Sequence, residues 1–168
     1  MSTYKGFSLI ELLIVVAIIL IVAAIAIPNL LRSRIGANEA SATAALRTIS
    51  LAEVTYSATY HSGFTDNLNR LGAPPSGQQA DRFTADLLDP VLSGQSLGGG
   101  ANTFSKAGYR FVYTPTGNNT SFGFISQYRI NADPQVRGST GQRSFYSDHS
   151  AIIRANATTA ATTSDPLI

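Results

Sequence analysis

Hydrophobic and polar positions fall into three regimes along this chain. Residues 12–27 are sixteen apolar residues without a break. Widened to Phe7–Leu31, the stretch is 25 residues with one charge, Glu11. As a helix it would be roughly 38 Å long, enough to cross a hydrocarbon layer about 30 Å thick. Beyond Pro28 a second regime begins. Ala42, Ala45, Ile49, Ala52, Tyr56 and Tyr60 recur at spacings of three and four, the stripe of an amphipathic helix. His61-Ser62-Gly63 is a stop signal. The pattern predicts one helix from residue 7 to about residue 60, roughly 80 Å long. Its later half is expected to bury the stripe against a sheet, with Tyr56 and Tyr60 as core residues.

The third regime mixes irregular chain with alternation. Residues 61–107 are expected to be irregular, apart from one helical turn near Leu68 and Leu71 and a short helix over residues 85–89, halted by Pro90. Gly98-Gly99-Gly100 breaks the chain again. Tyr109, Phe111 and Tyr113 then alternate with Arg110, Val112 and Thr114, the period of a half-buried strand. Residues 115–120 (Pro-Thr-Gly-Asn-Asn-Thr) carry turn chemistry. Phe122, Phe124, Ser126, Tyr128 and Ile130 alternate after it, which predicts a hairpin. A loop over residues 131–142 and two short strands, 143–147 and 151–154, flank Asp148-His149-Ser150. The Ala/Thr-rich tail is expected to fray. The sum is an α+β fold, a long N-terminal helix packed against a three- or four-stranded antiparallel sheet.

Composition narrows the chemistry. Charged residues are 13% of the 168, about half the usual share. There is no cysteine, which excludes disulfides, thiolate metal sites and thiol catalysis. With two histidines and a net charge of +2, neither a metal centre nor nucleic acid is expected as the main partner. Asp148, His149 and Ser150 have the residue types of a hydrolytic triad. Being contiguous, they place His149 opposite the other two in an extended segment. Asp133, Asp148 and Asp165 are read as solvated carboxylates rather than calcium ligands. Arg129, Arg137, Arg143 and Arg154 are read as scattered surface cations. Asn156-Ala157-Thr158 matches a glycosylation sequon at a frequency composition alone explains. No enzyme activity and no cofactor are expected.

The N-terminal segment carries the informative anomaly. A carboxylate within a spanning helix costs about 2.5–3.5 kcal/mol on insertion scales, and Phe7–Leu31 contains no basic side chain to pair with Glu11. The apolar run is longer than that of a signal peptide, roughly 7–15 residues. Lys5 on one side and Arg32 and Arg34 on the other leave a plain anchor without a clear orientation. Cleavage between Gly6 and Phe7 would supply the missing cation as a new amino terminus, one helical turn before Glu11.

Lys5-Gly6-Phe7-Ser8-Leu9-Ile10-Glu11-Leu12 resembles the cleavage and methylation motif of type IV pilins and pseudopilins. The resemblance covers residues 5 to about 35. It implies that a prepilin peptidase cuts after Gly6 and N-methylates Phe7, that Glu11 is needed for assembly, and that Pro28 loosens the helix. Many relatives carry a glycine within the apolar run; this chain has none between Gly6 and Gly36. The organisation implied is a leader at 1–6, a hydrophobic transmembrane and filament-core helix at 7–34, and a globular head at 35–168. The function implied is a structural subunit, single-pass in the inner membrane before assembly and extracellular in a helical homo-oligomeric filament afterwards. Its partners would be the peptidase and the inner-membrane pilus assembly machinery. The alternatives are a type II secretion pseudopilin, a minor pilin, or a membrane-anchored binding domain.

Overall fold

A computed structural model describes residues 6–95, 102–119 and 124–168. The expected leader up to Lys5, the glycine break at 98–100 and the hairpin turn at 120–123 lie outside the described residues. The chain divides into two compact units, Met1–Arg34 and Ile35–Ile168.

The described part of the first unit is the beginning of α1 (Leu9–Tyr60). Its start is set by a capping box. Ser8 precedes the helix and accepts the N–H of Ile10 through Oγ at 3.4 Å. Glu11, three residues on, reaches back and accepts the Ser8 N–H at 2.9 Å. From there the apolar residues are exposed, with side chains such as Leu9, Ile18 and Leu30 facing outward. The most apolar window has no buried residue. By length and composition this is a helix able to span a membrane. α1 continues through Pro28, whose ring nitrogen has no hydrogen to donate to the carbonyl of Ala24.

In the second unit the stripe of α1 is buried as its period predicts: Ala42, Ala45, Ile49, Ala52 and Tyr56, joined by Leu46. Tyr60 is half-buried and packs on Tyr56 with ring centroids 4.9 Å apart. The helix stops where His61 turns to φ 51° and Gly63 to φ 72°.

Five strands follow: β1 (Thr103–Lys106), β2 (Tyr109–Asn119), β3 (Phe124–Pro134), β4 (Ser144–Asp148) and β5 (Ile153–Asn156). They pair antiparallel in chain order, β1-β2-β3-β4-β5. Alternation places Tyr109, Phe111 and Tyr113 of β2 with Tyr128, Ile130 and Ala132 of β3 on the buried face. These residues and the α1 stripe form one continuous core.

The α+β class stands, with five strands rather than three or four. β1 escapes the pattern because it has one large apolar residue; Phe104 is recruited by stacking on Phe111 at 4.4 Å. The expected turn at 115–120 is strand up to Asn119, since β3 pairs with it through Asn119↔Phe124. The expected helix at 85–89 does not form. Asp86 takes φ 55°, while Ala85, Leu87 and Leu88 donate their N–H groups to the carbonyls of Arg70 and Leu71. Those carbonyls belong to the 3-10 turn Leu68–Leu71, which is as expected. The tail is tied down rather than frayed. Ala155 donates to the Pro166 carbonyl at 3.0 Å and Ile168 to that of Ile153 at 3.2 Å. Ala161 is buried, and its carbonyl accepts from Asn131 Nδ2 at 3.0 Å. This covering explains why β4 is buried on both faces.

Candidate functional site

Gly6, Phe7 and Glu11 lie together at the start of α1. Phe7 is 77% exposed, and a side chain added at Gly6 would meet nothing within 4 Å. Among the described residues nothing covers the bond between them. Glu11 is exposed and committed through Oε2 to the Ser8 N–H. No partner of Oε1 is found among the described residues. Glu11 thus has a capping role that a reading centred on its missing cation passes over; the spacing Ser8-x-x-Glu11 is its signal in the sequence. Pro28 is seventeen residues further along the same helix, about five turns away from this group.

The second unit gathers no catalytic constellation from the residues singled out in it. Asp148 Oδ1 accepts from the backbone and hydroxyl of Ser150 at 2.9 and 2.6 Å, closing the turn after β4 without His149 between them. Asp165 accepts from Thr162 and Asn156. This also engages the amide of the sequon residue Asn156. Among the described residues, no three His, Asp or Glu side chains converge as a metal site. Three of the four arginines make internal contacts. Arg137 donates to the carbonyls of Gln142, Ala157 and Thr159. Arg154 donates to the carbonyl of Asp165. Arg143 pairs with Glu39 at 2.8 Å.

Two buried carboxylates on α1 were not legible in the stripe. Glu39 accepts the N–H groups of Gln142 and Arg143, both at 3.0 Å, and the Arg143 Nε–H at 2.9 Å. Burial opposes its ionisation, but these donors outweigh it and hold the carboxyl below its ordinary range. Glu53 is fully buried and accepts from Thr65. Desolvation pushes its pKa up to about 7.

Residues 1–27 match the family described as the prokaryotic N-terminal methylation motif. The chain is also 61% identical over 46 residues to the type IV wide pilus major component PilA4 of Thermus thermophilus. That similarity covers 27% of this chain and 35% of the relative, so the chain spans about a third of the length of the relative it matches. Together the two matches support the type IV pilin family for the N-terminal segment. No solved structure matches the chain.

Proposed function

We propose that this chain is a structural subunit of a type IV pilus, stored in the inner membrane through residues 7–34 and assembled into a surface filament after removal of residues 1–6. The observation that carries this reading is the grouping at the head of α1. An open Gly6–Phe7 bond, a carboxylate one turn later and an unbroken apolar run are what peptidase processing followed by helix bundling requires. The likeness to a major pilus component favours a pilus over a secretion pseudopilin. In the filament, apolar side chains of neighbouring helices bury one another. Glu11 keeps its Oε2 on the Ser8 N–H and offers Oε1 to the N-methyl amino group of Phe7 in an adjacent subunit. This pairing supplies the charge compensation that burial demands.

N-terminal peptide mass analysis of purified surface filaments is expected to find the chain beginning at N-methyl-Phe7. An uncut Met1 form, or a form beginning after Ala26, would overturn the reading. Glu11→Val is expected to leave membrane insertion and cleavage intact, and to leave processed subunit in the inner membrane instead of in filaments. Glu11→Gln retains an acceptor for Ser8 but not the charge. If pairing with the amine governs assembly, Gln behaves as Val does. Normal filament yield from Gln with loss in Val would assign the effect to hydrogen bonding and capping.

A further inference from the structure

Glu53 is fully buried, and no Lys, Arg or His lies within ion-pair distance of it among the described residues. A buried carboxylate without a counter-charge is costly. Its surroundings are hydroxyls and a second acid. Thr65 donates its N–H to Oε2 at 3.0 Å, and its hydroxyl lies 2.5 Å from Oε1. The same hydroxyl is 3.4 Å from the Tyr113 hydroxyl on β2. Tyr113 in turn donates to the Thr65 carbonyl at 2.7 Å. Asp66, next to Thr65, adds like charge to this group, and Tyr128 of β3 lies close enough to feel the Glu53 charge.

The cluster has two states separated by one proton. With the proton on Glu53, its O–H donates to Thr65 Oγ1, Thr65 donates to Tyr113, and Tyr113 donates to the Thr65 carbonyl. Every hydroxyl hydrogen then has an acceptor. Without that proton, a fully buried negative charge with no cation beside it is held by the two Thr65 donors and the nearby Tyr113 hydroxyl, and faces Asp66. Both states satisfy the hydroxyl hydrogens, so burial without a counter-charge makes the ionised state the costlier one, and it raises the Glu53 pKa to about 7.

Thr65 ends the segment that leaves α1 and reaches the sheet. Gly63 and Phe64 bridge to Ile125, with the Phe64 N–H on the Ile125 carbonyl at 2.9 Å. The Phe64 ring meets Tyr128 edge-on at 4.9 Å. The same segment walls a cleft of about 250 Å³ with Tyr56, Arg70 and Arg82. We propose that Glu53 is a proton-operated latch on residues 61–66: protonated, it holds the segment closed against β3 and over the cleft; ionised, it releases the segment.

The test is amide hydrogen exchange on the full chain in detergent micelles from pH 5 to 9, corrected for intrinsic rates and referenced to Ile49 in the core. Protection of Phe64 and Thr65 is expected to fall about tenfold or more between pH 5 and 7 and to level off above 7. In Glu53→Gln, which imitates the protonated acid and keeps His61, protection is expected to stay high and flat. Unchanged protection in the wild type, or the same loss in the variant, overturns the latch. Should the variant fail to fold, the carboxyl ¹³C shift of Glu53 in the wild-type chain decides. A midpoint near 7, at the pH where the fall in protection levels off, supports the proposal, and a midpoint below 6 overturns it.

Discussion

Glu39 and Glu53 stand fourteen residues apart on α1, about four turns, and respond to pH in opposite directions. Glu39 is held below its unfolded value of 4.5. Its contribution is therefore present above about pH 4.5 and is lost as pH falls through the lower folded value. Glu53 is raised from 4.5 to about 7, so its folded form favours the proton. Its contribution is complete below pH 4.5 and is lost as pH climbs from there to 7. Glu39→Gln is expected to cost about 1–3 kcal/mol at pH 7, because the Arg143 charge and two N–H donors lose an ionised acceptor. Arg143 is 45% exposed at its side chain, which places the cost toward the low end. Thermal unfolding followed by the near-UV signal of the tyrosines would measure it. The variant should also show a smaller fall in stability on the acid side than the wild type, since Asp148 and the other depressed carboxylates still contribute theirs.

At the scale of elements, the exit of α1 and its interior proline carry separate consequences. Gly63 has φ 72°, and a Cβ there would press on the carbonyl oxygen of Ile125. Gly63→Ala is therefore strained in its own backbone and forces the segment off β3. A loss of about 1–3 kcal/mol is expected, with the Phe64 amide deprotected before the core of the sheet. Gly77 has φ 84° with nothing within 4 Å of an added Cβ. Alanine there carries the backbone strain without the collision, so Gly77→Ala is expected to destabilise less. Pro28 lies inside α1 and removes one helical hydrogen bond. Pro28→Ala is expected to slow amide exchange around residues 24–31 in micelles, restoring local helix stability by an amount on the order of 3 kcal/mol. Unchanged exchange there would remove the helix-loosening role proposed for Pro28.

For the whole molecule, the division at Arg34 and Ile35 separates residues with exposed apolar side chains from residues with a core. The second unit has 168 − 34 = 134 residues, long enough to bury well over half of its unfolded surface. Its core residues, from Ala42 to Ala155, all belong to that unit. A chain of residues 35–168 is expected to be soluble and monomeric, with mixed helix and strand by circular dichroism and a single sedimenting species. An insoluble product would mean that the core needs the first unit, and the proposed domain organisation would fail.

Elements built on long periodic runs were legible in the sequence because local pattern and tertiary environment agree there. The apolar run, the stripe from Ala42 to Tyr60, and the alternation around Tyr113 and Tyr128 each repeat enough to outweigh a single exception. Gly6, Phe7 and Glu11, the proposed processing group, stand out in the sequence because they are neighbours in the chain. Elements resting on one side chain or on a distant partner were decided by tertiary structure. Phe104 becomes strand because Phe111 offers a ring to stack on, and the tail is fixed because β5 leaves an edge that Pro166 and Ile168 can bond. Residues 85–89 have helical composition, yet their N–H groups find the free carbonyls of Arg70 and Leu71 instead. Glu53 falls on the stripe face, between Ile49 and Tyr56, but what satisfies a carboxylate there is decided by Thr65, twelve residues on, folding back to meet it. Pattern reports the average environment of a segment; contacts made once, between residues far apart in sequence, leave no period to read.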